Sequence, residues 1–291
     1  VHSSKSGVAH YMAEDQDDAF NWVRTLLTFL PSNNREQAPT RLALSSSVVG
    51  RLEELENIVP RNHAKAYDMR QVLRAVVDDG EFFEVHGAWA MNILIGFAHI
   101  GGRTVGLVAN QPKMLAGVLD VNASRKAARF VRFCDAFSIP LVTFVDVPGF
   151  MCGTNQEHNA IITNGAKLLY AYGEATVPKV TVTLRKSYGG AHITMSCKQL
   201  GGDVNYAWPS ADMAVMGSDG AVEILHSREL REIENPHLRQ EFVLKKKQEY
   251  MDKCCNLDEA VKRGYVDEVI NPADTRSKIK SALDRLIDKT C

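Results

Sequence analysis

The chain has 291 residues, enough for one large α/β domain with an extension or for two smaller domains. Hydrophobic residues make up 45% and charged residues 24%, and the formal net charge of -1 gives no electrostatic reason to expect nucleic acid as a partner. No apolar run reaches the roughly 20 residues of a membrane helix, because the best candidates are broken by Asp146, Pro148 or Gly101 and Gly102, so no membrane contact is expected either.

Cys134, Cys152, Cys197, Cys254, Cys255 and Cys291 form no C-x-x-C pair and no metal-like Cys/His spacing. That pattern reads as free thiols in a reducing compartment, with no zinc site expected. Residues 1–10 have neither the apolar core of a signal peptide nor an Arg-rich amphipathic start, so they read as mid-protein sequence. Acids at Asp15, Asp17 and Asp18 precede apolar residues at helical intervals up to Leu30, which predicts an amphipathic helix that packs. Pro31 and the polar residues after it stop that helix, and the stretch to Pro60 reads as a linker, giving units 1–60 and 61–291.

Residues 69–77 predict a short helix and 82–85 a strand. Residues 91–100 and 104–109 predict a hairpin around Gly101, Gly102 and Arg103. Residues 124–137, capped by Asn122 or Ser124, predict a helix feeding the strand 139–147, so a β, β, α unit begins to repeat. That strand ends in the corner Pro148, Gly149, Phe150. A helix over 156–176 comes next, with Ile161, Ile162, Ala166, Leu168, Leu169 and Ala171 inside.

The run 177–184 predicts a strand buried on both faces, and it leads to the corner Gly189, Gly190, Ala191, where a helix opens. The corner is either a plain strand-to-helix turn or a site at which the free amides of Gly190 and Ala191 hold an oxyanion. Two successive βα units with glycine corners at one end of a sheet favour the site. His192 beside these amides is an acid or base or, more simply, a pocket wall, and Asp146 either orients the Pro-Gly-Phe loop or caps it. Beyond lie a strand at 211–216, a helix at 221–226, and a charge-rich helix whose Lys245, Lys246 and Lys247 read as a solvated face. A helix at 256–264 with Asn256 as cap, a strand at 265–270 and a helix at 274–289 complete the chain.

Several motifs stand in one order: Phe144 to Phe150 (FVDVPGF), Gly153 and Thr154 with Gln156 and Glu157, Gly165 to Tyr170 (GAKLLY), Ala175 to Val180 (ATVPKV) and Asn205 to Ala211 (NYAWPSA). Together they resemble the carboxyltransferase β subunits of biotin-dependent acyl-CoA carboxylases, most nearly the propionyl-CoA carboxylase type, from about Ser6 onward. The resemblance implies a crotonase-like (ClpP/crotonase) ββα spiral and the C-terminal half of the subunit, an N-terminal half being missing. It implies a ligase component that moves a carboxyl group from carboxybiotin, carried on a partner, to the α-carbon of a short acyl-CoA such as propionyl-CoA, with no metal in this chain.

By the same resemblance, Gly190 and Ala191 form the hole for the biotin ureido oxygen, Gly149, Phe150 and Gly189 adjoin the cofactor, and His192 and Ile193 line the substrate pocket. The hole for the acyl-CoA comes from the N-terminal carboxyltransferase domain of a neighbouring subunit. The resemblance further implies a homo-oligomer and a biotin carboxylase/carrier subunit, in an ATP-dependent holoenzyme placed in the mitochondrial matrix if eukaryotic and otherwise in the cytoplasm. Cys152, Asn159, Ala160 and Asn164 depart from the family pattern, and Ile193 stands where propionyl-type members carry an aspartate and acetyl-type members an apolar residue. Alternatives are a related biotin-dependent decarboxylase or transcarboxylase subunit, and a non-catalytic assembly module. A self-sufficient crotonase-type hydratase or isomerase needs acid/base carboxylates beside its hole, and residues 191–193 offer none.

Overall fold

The computed structural model describes residues 1–42, 52–255 and 257–289. Strands β1 (Phe83–Val85), β2 (Ile93–Ile100), β3 (Arg103–Asn110), β4 (Leu141–Val147), β5 (Lys179–Tyr188), β6 (Val204–Ala207) and β8 (Glu268–Val269) lie side by side in one sheet, and β7 (Asp212–Ala214) pairs with the end of β5. β1, β2 and β3 pair antiparallel, and every later pairing is parallel. The expected hairpin is β2–β3, turned by Gly101 and Gly102 at φ 62 and 81, values that a side chain disfavours.

Helix Val121–Ala136 then returns the chain to β4, and helix Ile161–Glu174 returns it to β5. The ββα unit is therefore literal once and continues as parallel βα units, in the crotonase-like spiral expected. The cap of the first of these helices is Asp120, whose carboxylate accepts from Ala123 N at 2.7 Å. Asn122 and Ser124, expected in that role, lie inside the first turn.

Alternation along the strands sends side chains to two cores. Val142 and Phe144 of β4 join Val180, Val182 and Leu184 of β5 on one face, with Trp208 and Ile279. Leu141, Val145 and Val147 face the other way, toward Val131, Leu168, Tyr172 and Met195. Helix Gln16–Leu27, capped by Asp15, lays Trp22 and Leu26 on this second core, ahead of Phe29, while Phe20, Val23 and Leu27 stay exposed.

The single helix expected over 156–176 is two, Thr154–His158 and Ile161–Glu174, broken where Ala160 adopts φ 59. The break resets the helical phase, so Ile161, Gly165, Leu168 and Tyr172 face inward at spacings of three and four. Ile162, expected inside, is 78% exposed. Ala166 and Leu169 are half-buried. Of the basic triplet expected on a solvated face, only Lys245 is exposed; Lys246 and Lys247 are half-buried and pair with Glu249 and Asp219. The strand expected at 265–270 is formed only at β8. Part of the expected linker (43–51), the cap Asn256 and Cys291 lie outside the described residues.

Burial near the hairpin makes a pH prediction. His86 is held down to about 4, by burial first and then by His10, and His99 to about 4, by burial and then by Arg41. An imidazole depressed in the fold costs nothing above its ordinary value near 6.5, and below it the unfolded chain takes up protons that the fold refuses. Stability is expected to fall as pH drops from about 6.5 to 4, and thermal unfolding of His86→Gln and His99→Gln variants should show a shallower fall over that window. Equal pH slopes in variant and parent would contradict this.

Candidate functional site

β4 and β5 end side by side, so their two glycine corners meet. At the first, Leu119 N donates to Gly149 O at 3.0 Å and Met151 N to Leu119 O at 2.8 Å, which fixes Phe150 beside the sheet. The ring of Phe150 then lies between two glycines. A Cβ added at Gly165 would come within 2.8 Å of it and one at Gly190 within 3.7 Å, whereas one at Gly149 would meet nothing within 4 Å. Gly165 is thus required by close packing, and the space around Gly149 is open.

At the second corner the chain passes directly from β5 into the short helix Gly189–Thr194, with Tyr188 extended at the cap and no side chain capping it. Gly189 takes φ 57, and a Cβ there would stand 2.9 Å from Val215 O. The first amides of the helix have no intrahelical acceptor. Gly190 is exposed, while Ala191 is fully buried beneath it. Of the two amides expected to act together, the structure brings Gly190 to the surface and keeps Ala191 below.

Two cavities share this corner. One of about 460 Å³ has walls that include Phe150, Cys152, Ile162, Gly190 and Ile193, and the exposure of Ile162 is explained by its place there. The other, about 740 Å³, includes Gly189, Gly190, His192, Ile193 and Val215. Gly190 and Ile193 therefore form the partition between them. His192 Nδ1 lies 2.8 Å from Ser187 Oγ, and burial pulls its imidazole below the ordinary value. A neutral His192 held by a buried serine suits a wall better than a proton donor.

Under both corners lies a charged network centred on Arg185 and Asp146, a pairing that the sequence reading missed. Arg185 and Asp146 are each 0% exposed, with Nε donating to Oδ2 at 2.8 Å. Arg185 Nη1 also donates to the carbonyls of Pro60, Asn62 and Lys65 at 3.0 to 3.1 Å. Its guanidinium sits over the Tyr67 ring at 4.7 Å from the centroid. An arginine inside an apolar strand was the available signal, since a buried cation demands a partner. The alternatives weighed for Asp146, loop orientation or capping, resolve into an ion pair.

The whole chain, residues 1–291, matches the carboxyl transferase domain. It belongs to the carboxyl transferase family. Among curated relatives, the propionyl-CoA carboxylase beta chain of Saccharopolyspora erythraea is 52% identical over 99% of this chain and 54% of its own length. The mitochondrial propionyl-CoA carboxylase beta chain of Homo sapiens is 51% identical over 99% of this chain and 51% of its own. The biotin-dependent acetyl-/propionyl-coenzyme A carboxylase beta5 subunit of Mycobacterium tuberculosis is 50% identical over 99% and 54%. Among solved structures, transcarboxylase 12S, described as a hexamer and multienzyme core, superposes with a TM-score of 0.92 at 47% identity, covering 100% of this chain and 55% of that one. The chain thus spans about half the length of the curated relatives it matches. Within the carboxyl transferase fold, the corners of Gly149 and Gly190 stand at the same end of adjacent parallel strands.

Proposed function

We propose that this chain is the C-terminal half of an acyl-CoA carboxylase carboxyltransferase subunit. It moves a carboxyl group from carboxybiotin, held on a partner carrier, to the α-carbon of a short acyl-CoA such as propionyl-CoA. The observation that carries the reading is the match over the whole chain to propionyl-CoA carboxylase beta chains. Residues 1–60 are assigned to the junction with an N-terminal carboxyltransferase domain, and 61–291 to the C-terminal one.

Biotin fits the corner on a structural ground: an open, Cβ-free surface at Gly149 and Gly190 beside a flat aromatic ring, with an amide lacking an intrahelical acceptor. When bound, biotin supplies the carboxyl group on its ureido nitrogen. The Gly190 amide is assigned to the ureido oxygen, and Phe150 to one wall. The buried Ala191 amide adds its dipole from behind. A preorganised donor of this kind is worth about 3 kcal/mol where negative charge develops. His192 and Ile193 are assigned to the acyl pocket.

The second hole, for the thioester oxygen, is assigned to the N-terminal half of a neighbouring subunit, so a homo-oligomer is part of the reading. A biotin carboxylase/carrier subunit charged with ATP is its other partner. The mitochondrial matrix is the location assigned in a eukaryote and the cytoplasm in a bacterium, in keeping with the name of the human relative. A second reading, a transcarboxylase subunit, is favoured by the likeness to transcarboxylase 12S and uses the same corner. Assaying the complete subunit with a pre-charged carboxybiotin carrier and propionyl-CoA tests the transfer step, and a second format, with uncharged carrier, its biotin carboxylase, bicarbonate and ATP, separates the first reading from the second by its ATP-dependence. No carboxylated acyl-CoA in either format would remove both.

Ile193 provides a sharper check. Ile193→Asp places a charge in the partition between the two cavities, so it should change the turnover ratio among acetyl-, propionyl- and butyryl-CoA more than it changes affinity for the biotin donor. A shift of roughly tenfold or more in one acyl ratio is expected. Unchanged ratios would take Ile193 out of the acyl pocket.

A further inference from the structure

We propose that Arg185 and Asp146 are positioning residues for carboxyl transfer: their buried pair fixes a bulge in β5 that sets Gly190 against Phe150. The inference rests on the functional reading above and adds residues that touch neither substrate nor cofactor. Its first support is the register. Val145 faces Thr183, yet Val147 faces Ser187, so two steps along β4 are matched by four along β5. The surplus residues fall at 184–186, around Arg185. A bulge bends its strand and re-aims the residues beyond it, which here are Tyr188, Gly189 and Gly190.

A second support is how the bulge is held. Asp146 is the β4 residue opposite it, and its Oδ1 accepts from Lys186 N at 3.3 Å while Oδ2 accepts from Arg185 Nε. From the other side, Asp146 N donates to Asn110 Oδ1 at 3.2 Å, and Asn110 Nδ2 donates to Gly117 O at 3.2 Å. β3, β4 and β5 are thereby tied at one level. Asp146 lies three residues before Gly149 and Arg185 four before Gly189, so both corners start from this tie.

The pair also reaches outside the sheet. Arg185 Nη1 gathers the carbonyls of Pro60, Asn62 and Lys65, and His63 in the same segment lies 3.6 Å from Asp212, which accepts from Tyr188 OH at 2.9 Å. The segment 60–65 and the last residue before Gly189 are thus joined through two routes. The buried Lys126 has no such geometry, since its Nζ donates to the backbone carbonyls of His86, Trp89, Ala90 and Ile93, none of them in β4 or β5.

The test uses the complete subunit with its carboxybiotin carrier. Arg185→Lys keeps a cation beside Asp146 but loses the guanidinium fork, so the bulge is held by one bond where it had several. Turnover number should fall by roughly tenfold or more with KM for propionyl-CoA changed less than about twofold, and a crystal structure of the variant should show Gly190 displaced from Phe150. If that variant does not fold, Asn110→Ala loosens Asp146 from the other side without removing a charge, and the same split is expected at reduced size. An unchanged turnover number per folded molecule, with only the melting temperature lowered, would leave the pair a purely structural role and overturn the proposal. Parent turnover in the same assay reports on the functional reading itself, so the two failures are distinguishable.

Discussion

Gly190→Val in the complete subunit is expected to lower carboxyl transfer by roughly 10² to 10³, the loss typical of removing one preorganised oxyanion donor, while the protein remains folded. The size comes from local geometry. A Cβ at position 190 would meet the Phe150 ring at 3.7 Å, an ordinary contact, so alanine can be accommodated there. The two γ-methyls of valine extend further, into the space above the amide and across the partition between the cavities. Gly190→Ala should therefore lose much less activity than Gly190→Val, and neither should unfold, because Gly190 does not need a positive φ. Steady-state rates with circular dichroism on the same samples check this, and near-parental rates in a folded valine variant would remove Gly190 from the site. Gly189 differs: its φ of 57 and the carbonyl 2.9 Å from its missing Cβ make substitution there a test of folding, not of chemistry.

The largest expected effect on stability comes from splitting the buried pair. Asp146→Leu leaves the Arg185 guanidinium at 0% exposure without its carboxylate, and Arg185→Met leaves Asp146 in the same condition. Removing one partner of such a pair costs about 3 to 5 kcal/mol, which for a domain of this size lowers Tm by roughly 5 to 10 °C. The double variant Asp146→Leu/Arg185→Met removes both charges and should be less destabilised than the sum of the singles. It will not recover fully, since the carbonyls of Pro60, Asn62 and Lys65 lose their shared donor. Denaturant midpoints of the three variants supply the cycle, and strict additivity would contradict the coupling.

Much of this fold is readable from residue pattern, and the places where it is not share a cause. β4 and β5 are legible because β-branched and apolar residues dominate them up to Val145 and Leu184 and glycine corners follow, although β5 runs on through Arg185 and Lys186 to Tyr188; the hairpin is legible because Gly101 and Gly102 punctuate it. The break at Asn159 and Ala160 is not, because nothing in that dipeptide demands a left-handed residue. With the phase carried straight through it, Ile162 turns inward on paper when it faces a cavity in the fold. The cap of helix Val121–Ala136 is misplaced by two residues or more for a similar reason, Asp120 and Asn122 being equally good caps in sequence.

The candidate corner is legible as a pair of glycine turns, but its relief is not. That Gly190 is exposed and Ala191 buried depends on how the helix is tilted against Phe150 and Met195, and sequence carries no direct mark of that tilt. The ion pair beneath escapes a sequence reading because its partners are 39 residues apart and meet only across β4 and β5. The bulge that joins them is a register feature, visible only once the two strands are laid side by side.

The most direct measurement asks whether the Gly190 corner is half of a shared site. Carboxylated product is measured from a carboxybiotin donor and propionyl-CoA with three preparations: this chain alone, this chain with a separately produced N-terminal half, and the complete subunit. No significant turnover is expected from the chain alone, robust turnover from the complete subunit, and partial recovery when the halves are mixed. Robust turnover by the chain alone would contradict the shared site, and none by the complete subunit would contradict carboxyl transfer itself.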